Sequence, residues 1–334
     1  MPFCDDCGME PRHTGAPPTA RLRALDRVLE LFLVRPVRRV RGLQQLVRFV
    51  AQRAPVHLGV KHARRGHYLQ LRDVFIANGN HSPFGHDVRR GLVERFERVD
   101  REMRVATSPT DALFLAEAVL SIDCEGVLVE CGCFQGGSTA KLSLLARTTG
   151  RRLLVFDSFA GLPPAMAGEI EDVNLREARD VRWGGGSYRG SLEVVQANVR
   201  RLGDISACRF VPGWFSDTLK DEHIPDPVAL AFTDVDIAGS VRDCLAGLWP
   251  RLAHGGVFFS HDVAFVKVLR VFVDPALWGP VLGQPSPILF GAGFGLSDDS
   301  PMLGFCVKGR EDDADYLRRL SLNKGQPSDG VPAP

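Results

Sequence analysis

The run Val127-Leu-Val-Glu-Cys-Gly-Cys-Phe-Gln-Gly-Gly-Ser-Thr139 constrains the fold of this chain more than any other. A short apolar stretch ends in an acid, Glu130, and passes through a glycine-rich turn into what reads as a helix start. Gly132, Gly136 and Gly137 remove the Cβ atoms that would keep a ligand away from the backbone N–H groups of such a turn. A second apolar run, Leu153-Leu-Val-Phe156, ends in Asp157. An acid at the tip of the second strand is where a ribose diol is held in nucleotide-binding α/β sheets. The two segments together imply a nucleoside-containing cofactor.

The glycine spacing narrows the choice of nucleoside. A dinucleotide fingerprint wants G-x-G-x-x-G with a helix N-terminus facing a pyrophosphate. Here the spacing is G-x-x-x-G-G, and Glu130 sits two residues before the first glycine. A carboxylate there repels a pyrophosphate but suits a cofactor that carries an amino group and a sulfonium. S-adenosylmethionine is therefore expected rather than a nicotinamide dinucleotide. Beyond this turn the chain alternates strand and helix, the pattern of a parallel sheet covered on both faces. Strands are predicted at 126–131, 152–156, 207–211, 228–233 and 256–260, with helices beginning near Gly137, Ser187, Phe215 and Gly239 and after Asp262. Pro287–Phe290 and Met302–Val307 read as a closing hairpin.

Three further strings are more specific than any glycine-rich loop. Phe156-Asp-Ser-Phe-Ala-Gly-Leu-Pro-Pro164, Phe210-Val-Pro-Gly-Trp-Phe-Ser-Asp-Thr-Leu219 and Asp234-Val-Asp236 ahead of Ser240 together resemble the macrocin O-methyltransferase family. The resemblance runs from about Ser108 to about Arg310. It implies a Rossmann-like class I methyltransferase sheet, mostly parallel with a C-terminal antiparallel hairpin, preceded here by an α-helical N-terminal extension. It also implies a metal-assisted, S-adenosylmethionine-dependent transfer to a sugar hydroxyl of a natural product, a homo-oligomer, and a mobile substrate-covering loop at Ala160–Gly186. The expected cofactor-binding set is Glu130, Gly132, Gly136, Gly137, Ser138, Asp157, Ser158, Phe159, Gly213, Trp214 and Phe215, with an aromatic of the Trp214–Phe215 pair stacking on the purine.

Methyl transfer from a sulfonium needs the acceptor aligned, water excluded and a proton removed from a weakly acidic hydroxyl. A divalent cation lowers the pKa of that hydroxyl, and hard cations want carboxylate oxygens. By the resemblance, Asp234 matches the metal-binding and proposed base position, and His261 with Asp262 matches a paired Asp-Asp. His261 departs from the pattern. An imidazole weakens the case for Mg²⁺ and shifts preference toward Mn²⁺, Fe²⁺ or Zn²⁺. It also opens a metal-independent mechanism with His261 as general base. A non-catalytic cofactor-binding scaffold is the reading of another class; intact Glu130, Gly132 and Asp157 count against it. Asp236 has a plain structural alternative, capping the helix at Gly239–Ser240.

Composition excludes more than it selects. A formal net charge of +1 over 334 residues gives no global pull toward nucleic acid. No apolar run is long enough to span a bilayer, and the N-terminus lacks a signal peptide's basic and apolar regions, so a cytoplasmic protein is expected. Residues 1–19 and 322–334 read as disordered tails, 20–107 as a basic helical extension and 108–321 as the methyltransferase domain. From Arg21 to Arg72 there are 13 Lys or Arg and two acids, Asp26 and Glu30. Such helices pack on their own domain or a second subunit, or touch a membrane surface or partner. The eight cysteines follow no disulfide framework. Cys4 and Cys7, with His13 nearby, fall short of the four ligands zinc needs.

Overall fold

The computed structural model describes residues 66–164, 185–224, 227–297 and 300–322. The expectations for the basic segment before residue 66, for Cys4 and Cys7, for the loop interior and for the C-terminal tail lie outside these residues. The described residues fall in one compact unit that begins at Gly66. None of its described helices is long and apolar enough to cross a membrane.

After a helix through 66–77, the elements run α1 (His86–Glu102), α2 (Pro109–Ser121), β1 (Val127–Cys131), α3 (Gly137–Thr149), β2 (Leu153–Asp157), α4 (Leu192–Leu202) and β3 (Cys208–Pro212). They continue with α5 (Phe215–Thr218), β4 (Val228–Thr233), α6 (Ala238–Leu248), β5 (Leu252–Ser260), α7 (Val266–Val271), α8 (Pro275–Trp278), β6 (Gly304–Val307) and α9 (Ala314–Leu320). The six strands form one sheet in the order β3-β2-β1-β4-β5-β6. All neighbours are parallel except β5 and β6. The expected mostly parallel α/β sheet with an antiparallel end is what forms.

The sheet is apolar because both faces are covered. Alternate residues divide between two cores: Leu128, Leu153, Val155, Leu230 and Phe232 face the layer holding α2 and α3, while Val129, Cys131, Leu154, Phe156 and Ala231 face the layer holding α6 and α7. Two local differences from the sequence reading have physical causes. Pro287–Phe290 is not a strand; it gives a single bridge, Phe290 to Phe305, because Pro285 and Pro287 have no N–H to offer a ladder. The fourth helix starts at Leu192 rather than near Ser187, since the chain must first squeeze past Phe134 at Gly190, where a Cβ would sit 1.8 Å from the Phe134 carbonyl.

Helix α1 reads in sequence as an exposed lead-in. It instead buries Leu92, Val93, Phe96 and Val99, and with them Arg89. The Arg89 guanidinium reaches the Glu117 carboxylate at 2.7 Å, donates to the Phe75 carbonyl at 3.0 Å and lies over the Phe75 ring. Asn78 donates to the same carboxylate at 3.0 Å. This pair therefore bolts the 66–77 helix and α1 onto α2. Glu117→Ala should cost about 3–5 kcal/mol, because it strands a buried guanidinium. Urea denaturation checks this, and a loss under about 1 kcal/mol would mean that water reaches Arg89.

Candidate active site

The sheet order reverses between β1 and β4, and the carboxyl ends of the strands open there into a cleft. That is the switch point where α/β sheets bind their ligands. Gly132, Gly137 and Ser138 line it from the first turn, and Asp157 and Ser158 from the second. Gly213, Trp214 and Phe215 line it after β3, and Asp234 after β4. Trp214 is half-exposed at the wall, while Phe215 also packs into the core beneath.

Other expected members sit elsewhere. Phe159 is 8% exposed and belongs to the core on the α2–α3 side, so its side chain supports the second turn from below instead of lining the cleft. Gly136 is the left-handed N-cap of α3, φ 86°, and does not line the cleft. What the missing Cβ atoms make room for is protein: the Asp234 carbonyl at 2.0 Å from the Cβ position of Gly132, Val195 beside Gly136 and Val105 beside Gly137. Ser158 lines the cleft but spends its hydroxyl on the turn, donating to Gly161 O and accepting from Ala160 N.

Asp157 holds the two turns together. One carboxylate oxygen accepts from Cys133 N–H and the other from Phe159 N–H, both at 2.7 Å. Burial raises its pKa against those bonds. Glu130 is fully buried and neither of its oxygens has a hydrogen-bond partner in the ligand-free protein. Burial pushes its carboxyl up to about 8, and repulsion from Asp157 and Asp234 adds to the rise. An orphaned buried acid beneath the cleft fits a cationic group arriving with a ligand.

Asp234 and His261 follow the paired residues Thr233 and Ser260, so adjacent strands deliver them to one place. Asp234, His261 and Asp262 offer one ligand atom each, all within 4.8 Å of one another. That spread and a donor set of two carboxylates and one imidazole fit a divalent cation. His261 Nδ1 lies 3.3 Å from Asp234 Oδ1 and 3.3 Å from Asp262 Oδ1. Burial opposes a charged imidazole, but Asp234 and Asp262, then Asp111, hold the His261 pKa well above its ordinary value. Asp236 caps nothing: the N-cap of α6 is Ile237, with no side-chain bond. Asp236 lines the cleft, and burial followed by repulsion from Asp262 and Asp234 drives its carboxyl well up.

Two residues escaped the sequence reading. Tyr188, left-handed at φ 54°, lines the cleft edge-on to Phe134; nothing local in the sequence marks it. Asp111, buried in the first turn of α2, faces His261 Nε2 at 3.6 Å. Its signal was Ser108-x-x-Asp111, a capping box. Of the expected lid, the described ends pair with each other, Leu162 N to Ser187 O and Gly186 N to Leu162 O; its interior lies outside the described residues.

The family model described as Macrocin-O-methyltransferase (TylF) matches residues 111–275. Over this segment the chain is similar to the macrocin O-methyltransferase family. The chain is 36% identical over 155 residues to the 8-demethyl-8-(2,3-dimethoxy-alpha-L-rhamnosyl)-tetracenomycin-C 4'-O-methyltransferase of Streptomyces olivaceus, covering 45% of this chain and 58% of the relative. It is 31% identical over 166 residues to the demethyldecarbamoylnovobiocin O-methyltransferase of Streptomyces niveus, covering 47% and 60%. The chain thus spans under two-thirds of the length of the curated relatives it matches. Among solved structures, the O-methyltransferase NovP gives a TM-score of 0.49 at 21% identity, over 74% of this chain and 100% of that one. The matched segment contains every expected site residue.

The Glu130 pKa makes a stability prediction. The folded carboxyl keeps its proton up to about pH 8, whereas the unfolded one loses it near pH ~4.3. Between those values the unfolded state binds fewer protons, so this group's contribution falls as pH rises and is flat above. Glu130→Gln should therefore stabilise the ligand-free protein, and by more at pH 8 than at pH 5, by up to roughly 1.4 kcal/mol per pH unit crossed. Melting curves at the two pH values check the sign.

Proposed function

We propose that the protein is an S-adenosylmethionine-dependent O-methyltransferase that methylates a hydroxyl of a sugar or glycosylated natural product with a divalent cation's help. The observation that carries this reading is the convergence of Asp234, His261 and Asp262 at the rim of a switch-point cleft underlain by the partnerless carboxylate of Glu130. The family match supports it, as do the names of the relatives, which describe O-methyltransferases of a rhamnosylated tetracenomycin and of a novobiocin precursor.

When bound, S-adenosylmethionine supplies an activated methyl for in-line displacement, and a cation such as Mg²⁺ or Mn²⁺ supplies a Lewis acid for the acceptor hydroxyl. Glu130 meets the amino end of the cofactor beneath the first turn. Asp157, whose oxygens each accept one backbone N–H at 2.7 Å, keeps lone pairs for the ribose hydroxyls. Trp214 offers its face to the purine. Asp234 joins the cleft and the cation cluster, which suits it to orient the acceptor and take its proton. His261 shares the cluster with Asp234 and Asp262, its Nδ1 3.3 Å from an oxygen of each, which suits it to hold a cation with them.

Calorimetry and a methyl-transfer assay test this. S-adenosylhomocysteine should bind, and Asp157→Ala should weaken it by more than tenfold as the two turns lose their shared acceptor. Chelator should abolish transfer to a glycoside acceptor and added Mn²⁺ or Mg²⁺ restore it, while Asp234→Asn stays inactive in excess metal. Binding of NADH without S-adenosylhomocysteine sinks the cofactor assignment; full turnover in chelator sinks the cation.

A further inference from the structure

His261 is the one nitrogen donor of the cation cluster, and its two ring nitrogens have different surroundings. Nδ1 faces Asp234 and Asp262 at 3.3 Å each; Nε2, on the far edge of the ring, faces Asp111 Oδ2 at 3.6 Å. Asp111 comes from α2, outside the strand–helix run that supplies the cluster. It is 2% exposed. It is also held from behind on both oxygens: Oδ2 accepts from Ser108 N–H at 2.7 Å, and Oδ1 accepts from the Ser300 hydroxyl.

Capping does not require this arrangement. An uncharged Asn would accept from Ser108 equally well, and Glu or Gln is the usual third residue of a capping box. A buried carboxylate costs free energy unless a charge or strong donors compensate it. The cationic neighbour in ion-pair range of Asp111 is His261. A histidine that ligates a cation through one nitrogen is oriented by a carboxylate on the other.

We propose that Asp111 is a positioning residue for a mixed nitrogen–oxygen cation site, fixing the His261 ring through Nε2 so that Nδ1 points to the space between Asp234 and Asp262. This rests on the cation reading above and adds to it which nitrogen ligates, what holds it and which cations the site prefers. Exchanging a carboxylate for an oriented imidazole moves selectivity away from Mg²⁺ and toward Mn²⁺ and the later divalent ions. Ser300 supports Asp111 from the segment that precedes β6, so the ring is clamped between parts of the chain on either side of the sheet's main run.

The experiment titrates Mn²⁺ into the full-length protein saturated with S-adenosylhomocysteine and reads the ion by pulsed electron paramagnetic resonance. The wild type should show nitrogen coupling to the bound Mn²⁺ and bind Mn²⁺ more tightly than Mg²⁺; His261→Asp should lose the coupling and narrow the preference. Asp111→Asn, which keeps the cap, should weaken Mn²⁺ binding about 10–100-fold while leaving the melting temperature and S-adenosylhomocysteine affinity near wild type. In the His261→Asp background the same substitution should not weaken Mn²⁺ at all. Ser300→Ala should act in the direction of Asp111→Asn and to a smaller extent, which decides the matter if Asp111→Asn fails to fold. Wild-type Mn²⁺ affinity in Asp111→Asn, or bound Mn²⁺ without nitrogen coupling, overturns the proposal and leaves the cation reading intact. No Mn²⁺ binding by the wild type withdraws both.

Discussion

The backbone ladder of the sheet runs on past the ends of its strands, and the positions of the site residues follow from that continuation. Gly132 N–H reaches Phe156 O, Asp234 N–H reaches Cys131 O, and His261 N–H reaches Thr233 O, at 3.0, 2.9 and 2.8 Å. Gly213 N–H closes the other side on Asp157 O at 2.9 Å. Residues that would ordinarily diverge into loops are kept level for one more step. Gly132 is the tightest point, with φ 84° and the Asp234 carbonyl where a Cβ would be. A side chain there would push β1 from β4 and separate the cofactor wall from the cation cluster, so the geometry of both hangs on one glycine.

What this arrangement brings together repels itself. Asp111, Asp234, Asp236 and Asp262 gather around a single imidazole, with Glu130 buried nearby. The strained backbone collects in the same place. Among the described residues the non-glycine positions with positive φ are Phe134, Phe159, Tyr188, Asp236 and Asp262, all in or beside the cleft. Each costs on the order of 1–3 kcal/mol. Such a site persists because two apolar cores and the Arg89–Glu117 bolt stabilise the rest. A positive charge brought among these carboxylates would relieve the repulsion.

The sheet was legible because its information is local. The apolar runs at 127–129, 153–156 and 228–232, two of them followed directly by an acid, Glu130 and Asp157, and the third within two residues by Asp234, read as buried parallel strands. The cluster Asp234, His261 and Asp262 was legible for the same reason, since residues that follow neighbouring strands must meet at the sheet's edge. The glycines were placed correctly but for another reason than the one read from them, because their missing Cβ atoms admit Asp234 O, Val195 and Val105. Phe159 was read as a ligand contact from its place in a motif, and its side chain turned into the core. Tyr188 left no local signal, and Asp111 only that of a helix cap: the contact of Asp111 with Ser300 and the entry of Tyr188 into the cleft depend on long-range packing that no local spacing encodes.

The two sides of the cleft are built on different principles. The cofactor side consists of strand–helix turns, whose backbone is fixed by sheet register and glycine conformation. The cation side depends on segments from outside that run. The segment 291–297 carries three left-handed glycines, Gly291, Gly293 and Gly295. Gly293 N–H binds Val263 O, next to Asp262, and Ser300 binds Asp111. Hydrogen bonds of this kind hold side chains in place without constraining the sheet. Loops anchored so can change while the cofactor wall stays as it is. An imidazole can therefore stand among carboxylates at the strand ends, with Asp234 and Asp262 facing one of its nitrogens and Asp111 the other.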